Sequence, residues 1–143
     1  MALSILFKKY REEVVMEKKL FRSGPYASLF SQGVQVGNTL YLAGQVGTDD
    51  TGAAPDNLLG QMKLAYQHVE SVLAEFGATM DNVVDETWFV TDVNDCMAQV
   101  SELFAARELI YGKPPEVSQT LVQVAGLVDP SFKIEIKCVA MFD

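Results

Sequence analysis

Alternating polar and apolar residues mark the first predicted strands of the chain. Residues 32–36 alternate in this way, a Gly-Asn pair interrupts the pattern, and residues 39–43 resume it. A Gly-Asn pair between two alternating segments is typical of a β-hairpin turn. The following segment, residues 44–55, is rich in Gly, Asp and Thr and is predicted to be a loop.

Apolar residues at spacings of three and four predict two helices. The first is expected over about residues 57–76, where Gly77 supplies a natural end. The second follows a turn at residues 92–95 and ends near Tyr111, ahead of a Pro-Pro pair. Its predicted inner side chains are Met97, Val100, Leu103, Phe104 and Leu109.

Three further apolar segments predict the remaining strands, over residues 81–92, 118–125 and 132–141. The resulting order of elements is β-β-α-β-α-β-β. Such an order predicts an α+β fold in which a single sheet carries two helices on one face. A chain of 143 residues is the usual size of one domain.

The strands carry apolar residues on both faces of the predicted sheet. Leu40 and Leu42 point to one side, whereas Tyr41 and Ala43 point to the other. Because two helices can cover only one face, the second apolar face needs another cover. We therefore expect a homo-oligomer in which a neighbouring subunit packs against this face.

The composition narrows the possible partners and the compartment. A net charge of −8 disfavours nucleic acid, and no segment approaches the roughly 18–20 apolar residues of a membrane span. The two cysteines, Cys96 and Cys138, fit packing positions in a reducing, cytoplasmic compartment. Residues 1–15 are expected to be an extension, either a short amphipathic helix or a poorly ordered segment, ahead of a domain over residues 16–143.

The one histidine, His68, is predicted to face away from the apolar stripe of the first helix. A solvated surface histidine is the favoured interpretation over a catalytic one, since no serine or cysteine spacing supports a triad. The acidic pairs at residues 49–50 and 92/95 lack the register of a calcium loop and are expected to be solvated turn carboxylates. No metal site is predicted.

Glu135 is the strongest candidate for chemistry. It lies in an apolar strand, on the face opposite Ile134 and Ile136. Removing a carboxylate from water is costly, so such a residue tends to have a raised pKa or a defined partner. A raised pKa suits a general base near neutral pH. An exposed edge-strand charge that pairs with a lysine is an alternative of about equal weight, and any active site is expected along residues 119–135.

An ordered set of segments resembles the Rid (reactive intermediate deaminase) superfamily, also described as endoribonuclease L-PSP-like. The resemblance covers about residues 25–143. Its segments are, in order, Ser31-Gln32-Gly33-Val34, Val36-Gly37-Asn38, Leu42-Ala43-Gly44-Gln45-Val46, Asp81-Asn82-Val83-Val84, Thr91-Asp92-Val93-Asn94-Asp95, Val122-Gln123-Val124-Ala125-Gly126-Leu127 and Ile134-Glu135-Ile136.

This resemblance implies a chorismate-mutase-like fold and a homotrimer with ligand clefts between its subunits. Better-known members of the superfamily hydrolyse 2-imino acids and their enamine tautomers to 2-oxo acids and ammonia, without a metal or a cofactor. In those members an arginine binds the substrate carboxylate, while a glutamate on the final strand and a cysteine help to place the water. A tyrosine and the backbone of an S-G-Q segment complete the pocket.

Carried over by position, the family glutamate corresponds to Glu135 and the pocket glycine to Gly44. The other positions differ from the family pattern, since Gln119 stands at the arginine, Leu121 at the cysteine and Phe30 at the tyrosine. The resemblance therefore implies Glu135 as the catalytic base and the other four residues as substrate contacts.

The glutamine changes the expected substrate. Arginine binds a carboxylate through a charged two-point fork, whereas glutamine offers a neutral amide. The hydrogen bond weakens from roughly 1.5–3 to about 0.5–1.5 kcal/mol. We therefore expect a hydrolase that resembles imine and enamine deaminases and acts on a neutral or weakly acidic small molecule. A non-catalytic metabolite-binding trimer is the alternative, and an endoribonuclease is the least favoured of the three.

Overall fold

Seven strands form one mixed sheet in residues 16–143, the part of the chain that this computed structural model describes. The extension expected over residues 1–15 lies outside the described residues. The strands are β1 (Lys19–Phe21), β2 (Gly33–Val36), β3 (Thr39–Leu42), β4 (Gln45–Val46), β5 (Val83–Val90), β6 (Ser118–Gln123) and β7 (Ile134–Met141). They are ordered β1-β2-β3-β7-β5-β6, with β4 beside β7. The β5–β6 pair is parallel and the other pairs are antiparallel.

The predicted first helix is confirmed almost to the residue. It is α1 (Leu58–Glu75), and it begins where the Asn57 side chain accepts a hydrogen bond from the backbone N–H of Gly60 at 2.6 Å. This bond satisfies one of the amide groups that lack a partner in the first turn of a helix. Gly77, with a φ of +73°, follows the end of the helix as expected.

The predicted second helix is divided into two. These are α2 (Val93–Ala98) and α3 (Val100–Tyr111), and a 3-10 turn at Met80–Asn82 precedes β5. Gln99 separates the two helices because its backbone, at φ −122° and ψ 22°, leaves the helical conformation. Asp92 caps α2 by accepting a hydrogen bond from the Asp95 N–H at 3.0 Å, which confirms its predicted place in a turn.

Two short strands were absent from the expected order of elements. β1 has three residues and β4 has two, which is too short for an alternating pattern to be seen. Both form by pairing with longer strands: β1 pairs with β2, and β4 pairs with β7. The second pairing places Val46 directly opposite Glu135.

The predicted division of the sheet into two faces is confirmed. Leu40 and Leu42 are buried on the side that the helices cover, whereas Tyr41 is 50% exposed on the other side. Both cysteines are buried and unpaired, as expected of packing residues.

The predicted inner side of the second helix was partly wrong. Leu103 is buried, but Met97 and Leu109 are 53% and 83% exposed. Arg107 and Tyr111 take the inner positions instead. Arg107 can lie there because a buried carboxylate pairs with it, an arrangement that apolar periodicity alone does not reveal.

Candidate functional site

Glu135 lies on β7 with its side chain on the face opposite the buried Ile134 and Ile136, as predicted. The carboxyl group is partly buried, and this loss of water raises its pKa above the ordinary value. Lys137 opposes the shift through its positive charge, but burial has the larger effect. The group therefore has the electrostatic character of a base that works closer to neutral pH than an exposed glutamate does.

The backbone of Gly44 lies against this carboxylate. A Cβ atom added at residue 44 would stand 2.6 Å from Oε2 of Glu135, closer than two such atoms can approach. Space rather than backbone angles therefore favours glycine at this position, because a Cβ atom would displace the Glu135 carboxylate. The residue leaves room for the carboxylate and brings the main chain up to it.

Glu135, Gly44 and Phe30 line one cavity of about 630 Å³. The structure thus brings together three of the five residues that the sequence places in the site. Tyr26 lines the same cavity, and its ring stacks on that of Phe30 with centroids 5.6 Å apart and an interplanar angle of 18°. The cavity combines the Glu135 carboxyl with an aromatic wall.

Gln119 and Leu121 lie on β6 and do not line this cavity. The parallel register places Gln119 beside Glu86 of β5, and its Nε2 donates a hydrogen bond to Oε1 of Glu86 at 3.4 Å. The side chain therefore points to the helix-covered side of the sheet, whereas Glu135 faces the other side. Within one chain, the structure does not bring these two predicted site residues to Glu135.

The sequence and the fold of this chain match those of known proteins over most of its length. A sequence model of the family described as Endoribonuclease L-PSP matches residues 20–142. The chain belongs to this family, within the Rid superfamily. Its relatives include the RutC family protein YjgH of Escherichia coli, which is 31% identical over 111 residues, 78% of this chain and 81% of YjgH.

A second relative of this Rid-family chain is the 2-iminobutanoate/2-iminopropanoate deaminase of Mus musculus. It is 32% identical over 120 residues, which is 82% of each protein. Among solved structures, Rv2704 from Mycobacterium tuberculosis matches with a TM-score of 0.74 at 25% identity, over 88% of this chain and 100% of Rv2704. The predicted α+β, chorismate-mutase-like fold is thereby confirmed.

Gln61 holds together the two loops that frame the cavity of the Rid-family chain. Its side chain is fully buried, and Nε2 donates hydrogen bonds to the carbonyl oxygens of Pro55 at 2.8 Å and Ser131 at 2.9 Å. Its Oε1 accepts a hydrogen bond from the backbone N–H of Lys133 at 2.7 Å. One side chain of α1 thus fixes both the loop before the helix and the loop before β7.

His68 is not the solvated surface residue that was expected. It is partly buried and lines the same cavity as Glu135. Its Nε2 lies 2.8 Å from the backbone oxygen of Thr48, and since a carbonyl only accepts, this nitrogen carries the hydrogen. The histidine therefore ties the loop at residues 44–55 to α1, a role that its position in the helix did not indicate.

A buried polar cluster surrounds Glu86 and was not predicted from the pattern of apolar residues in the strands. This carboxylate is fully buried and accepts hydrogen bonds from Arg107 and from the hydroxyls of Tyr66 at 2.6 Å and Tyr111 at 3.1 Å. Burial, reinforced by the negative charge of Glu86, raises the pKa of both tyrosines. A signal was present, because Glu86 precedes Trp88 by two residues and so shares its inward face.

Residues 16–143 were also compared with the requirements of a metal site and of a membrane-spanning helix. Between residues 16 and 143, no group of three or more His, Cys, Asp and Glu side chains is placed to hold a metal ion. In the same part of the chain, no helix has both the length and the apolar character needed to cross a bilayer.

Proposed function

We propose that this protein is a small-molecule hydrolase that acts on imines or enamines in a cleft between the subunits of a homotrimer. The observation that carries the proposal is the Glu135 carboxyl, with its raised pKa, packed against the Gly44 backbone at the wall of a 630 Å³ cavity. The kinship with a 2-iminobutanoate/2-iminopropanoate deaminase supports the same class of reaction.

The chemistry requires one base and a place for water. Glu135 accepts a proton from water while the water oxygen bonds to the imine carbon. The proton then passes to the nitrogen, which gives a carbinolamine. Glu135 next transfers the hydroxyl proton of this intermediate to the nitrogen as the carbon–nitrogen bond breaks, and a carbonyl compound and ammonia leave. The nearby Gly44 backbone helps to hold the reacting groups, and binding both partners in one cavity lowers the entropic part of the barrier.

The exposed face of the sheet supports a trimer. Leu20, Tyr41 and Met141 are 51%, 50% and 41% exposed there, and paired strands connect them into one apolar surface. In the proposed assembly, the β6 edge of an adjacent copy brings Gln119 and Leu121 to the cavity that contains Glu135. This arrangement would reunite the residues that a single chain keeps apart.

Ammonia release from imines generated in situ by an amino-acid oxidase or an amine oxidase tests the proposal. We expect acceleration over buffer, and a loss of roughly 10²–10⁴-fold in kcat for Glu135→Gln. Glu75→Gln, the same change at an exposed position at the end of α1, is the matched control and should retain activity. No acceleration across many imine side chains would reject the deaminase form of the proposal.

The pH dependence gives an independent check. Because the base must be ionised, kcat should fall as the pH drops through the pKa of Glu135, which lies above the ordinary glutamate value of 4.5. A kcat profile that stays flat down to pH 4, in protein that remains folded, would contradict the assignment of Glu135 as the base.

A non-catalytic metabolite-binding trimer is the second candidate. It is favoured by the neutral Gln119 at the position where the family pattern has a substrate-binding arginine. Thermal-shift screening separates the two candidates, since a stabilising ligand that is recovered chemically unchanged supports binding alone. Ribonuclease activity ranks below both because the net charge of −8 repels a polyphosphate chain.

A further inference from the structure

Acidic and aromatic residues stand out among those that line the cavity around Glu135. Stacked rings of Tyr26 and Phe30 form one wall, and the face of an aromatic ring attracts cations. The carboxylates of Glu135, Asp49 and Asp50 line the same cavity. Among the described residues, none of those lining it is a lysine or an arginine.

Asp49 is a permanent negative charge rather than a free ligand. Its Oδ1 accepts hydrogen bonds from the Thr51 hydroxyl at 2.7 Å and from the backbone N–H groups of Thr51 and Ala53. These bonds lower the pKa of the carboxyl, so it remains ionised in the whole range in which the protein is expected to work. The loop therefore contributes a negative potential of fixed position.

Two cations that are close to the cavity in sequence, Lys137 and Arg22, donate hydrogen bonds to backbone carbonyl groups. Lys137, two residues beyond Glu135, donates through Nζ to the carbonyl oxygen of Leu42 at 2.9 Å. Arg22, which precedes the loop that carries Tyr26, donates through Nη1 to the carbonyl of Ala27 at 3.1 Å. Neither belongs to the residues that line the cavity. A bound carboxylate would therefore find acidic side chains, and no lysine or arginine, among the described residues that line the cavity.

Gln119 offers an acceptor where an arginine would offer donors. A carboxylate only accepts, so the amide nitrogen of Gln119 must face Glu86, and its 3.4 Å hydrogen bond to Oε1 shows this orientation. Arg107, which pairs with the same carboxylate, cannot replace the missing arginine because its charge is already neutralised. The carbonyl oxygen of Gln119 is the end of the amide turned away from Glu86.

We propose that this cavity selects a cation, namely a protonated imine or an ammonium compound that carries an aryl or alkyl group and no carboxylate. The aromatic wall takes the apolar group and the carboxylates take the charge. Turnover of such a substrate rests on the proposed function. The preference of the cavity for binding cations does not depend on it.

The hydrolytic step balances for such a substrate. The oxygen of water bonds to the iminium carbon, and Glu135 accepts the proton that water loses. That proton passes to the nitrogen, and Glu135 then accepts the proton of the new hydroxyl group as the carbon–nitrogen bond breaks. An aldehyde or ketone leaves, and the released ammonia takes the proton from Glu135 and leaves as an ammonium ion. No oxidant or reductant is needed, and the substrate does not have to carry a carboxylate.

Three probes of similar shape and different charge test the preference for a cation directly. Benzylammonium, benzyl alcohol and benzoate are titrated into the full-length protein at low salt, and affinities are measured by NMR line shifts or calorimetry. We expect benzylammonium to bind at least 10-fold more tightly than benzoate, with benzyl alcohol between them. The advantage of the cation should shrink as the salt concentration rises.

Substitutions of single carboxylates test whether residues of the cavity cause the preference for a cation. Asp50→Asn should reduce the preference for benzylammonium over benzoate several-fold, because it removes one carboxylate from the cavity. Asp81→Asn, the same change at an exposed residue that pairs with Lys113 away from this cavity, is the control and should leave the preference unchanged. Benzoate affinity equal to or higher than that of benzylammonium, or no benzylammonium binding, would overturn the inference.

A parallel activity measurement separates this inference from the proposed function. Imines are generated from benzylamine by an amine oxidase and from phenylalanine by an amino-acid oxidase, and their hydrolysis is followed. If benzylammonium is preferred but neither imine is hydrolysed faster than in buffer, the charge preference stands and the hydrolase proposal fails. If both are hydrolysed and the carboxylate-bearing imine reacts faster, the hydrolase proposal stands and the cation preference fails.

Discussion

At the scale of single residues, the site depends on the contact between Glu135 and Gly44. The carboxylate is kept from water on one side and meets the main chain on the other, and a Cβ at residue 44 would occupy the space that Oε2 now fills. The acid therefore has a defined position, although it lies at the wall of an open cavity. Position and pKa are set by the same packing.

Gly44→Ala should displace the Glu135 carboxylate without unfolding the protein. The clash involves the far end of a flexible side chain, which can rotate away, so the melting temperature should change little. Misplacement by about 1 Å should lower kcat roughly 100-fold. Gly126→Ala, where an added Cβ would meet no heavy atom within 4 Å, is the matched control. Equal kcat values for the two variants would show that the position of the carboxylate is unimportant.

The sequence predicted Glu135 but missed Glu86, although both are glutamates in apolar strands. Glu135 stood out because its family position and its alternation with Ile134 and Ile136 agreed. Glu86 shares an inward face with Trp88, but its partner Arg107 comes from a helix 21 residues later. A pattern within one strand cannot reveal a partner that only packing supplies.

At the scale of elements, α1 organises the loops of the site through Gln61. Three backbone groups, at Pro55, Ser131 and Lys133, depend on this one amide. They belong to the segment that precedes α1 and the segment that precedes β7. The helix therefore determines the distance between the two sides of the cavity.

Gln61→Met should leave these buried backbone groups without partners. Each backbone group that loses its partner costs about 1–3 kcal/mol. The free energy of unfolding, measured by urea denaturation, should therefore fall by several times the decrease that a surface substitution causes. Gln67→Met, at an exposed position of the same helix, is the control and should change it by less than about 0.5 kcal/mol. A small effect of Gln61→Met would mean that water replaces the lost hydrogen bonds.

The ion pair between β5 and α3 should show strong coupling. Arg107→Met leaves the Glu86 carboxylate buried without its cation and should cost about 3–5 kcal/mol. Adding Glu86→Gln should recover much of this loss, because the buried charge is then gone. A double-mutant cycle by chemical denaturation measures the recovery. Additive single effects would contradict the idea that the pair acts as a unit.

Elements with a clear period were predicted well, and short or interrupted ones were not. The 18-residue helix α1 repeats its apolar pattern often enough to be recognised. The two-residue strand β4 has no period at all, and the break at Gln99 carries no proline or glycine to mark it. These features arise from pairing and packing with distant segments rather than from local preference.

At the scale of the whole molecule, the exposed apolar face is expected to form the subunit contacts of the proposed trimer. Tyr41 lies near its centre, between Val34 of β2 and Val139 of β7. Tyr41 has neighbouring strands on both sides, so a charged side chain at this position would be buried without a partner when subunits pack against the face. Burying an unpaired charge is costly. The proposed trimer should therefore be sensitive to single substitutions on this face.

Tyr41→Asp should convert the trimer to monomers. Size-exclusion chromatography with light scattering should give about three times the chain mass of 15.7 kDa for the natural sequence and about one times that mass for the variant. Leu109→Asp, at a residue 83% exposed on α3, is the control and should remain trimeric. A natural-sequence protein that is monomeric at micromolar concentration would contradict both the trimer and the proposed intersubunit site.

The sequence by itself determined the main strands, the first helix, the two-sided sheet and the candidate acid. These follow from periodicity and from the cost of placing a carboxylate in an apolar strand, both of which are local properties. Only the tertiary structure decided that His68 and Asp49 line the cavity with Glu135, and that Gln119 turns toward Glu86. These placements depend on contacts between segments far apart in the chain, because the sheet register and helix packing choose which side chains meet.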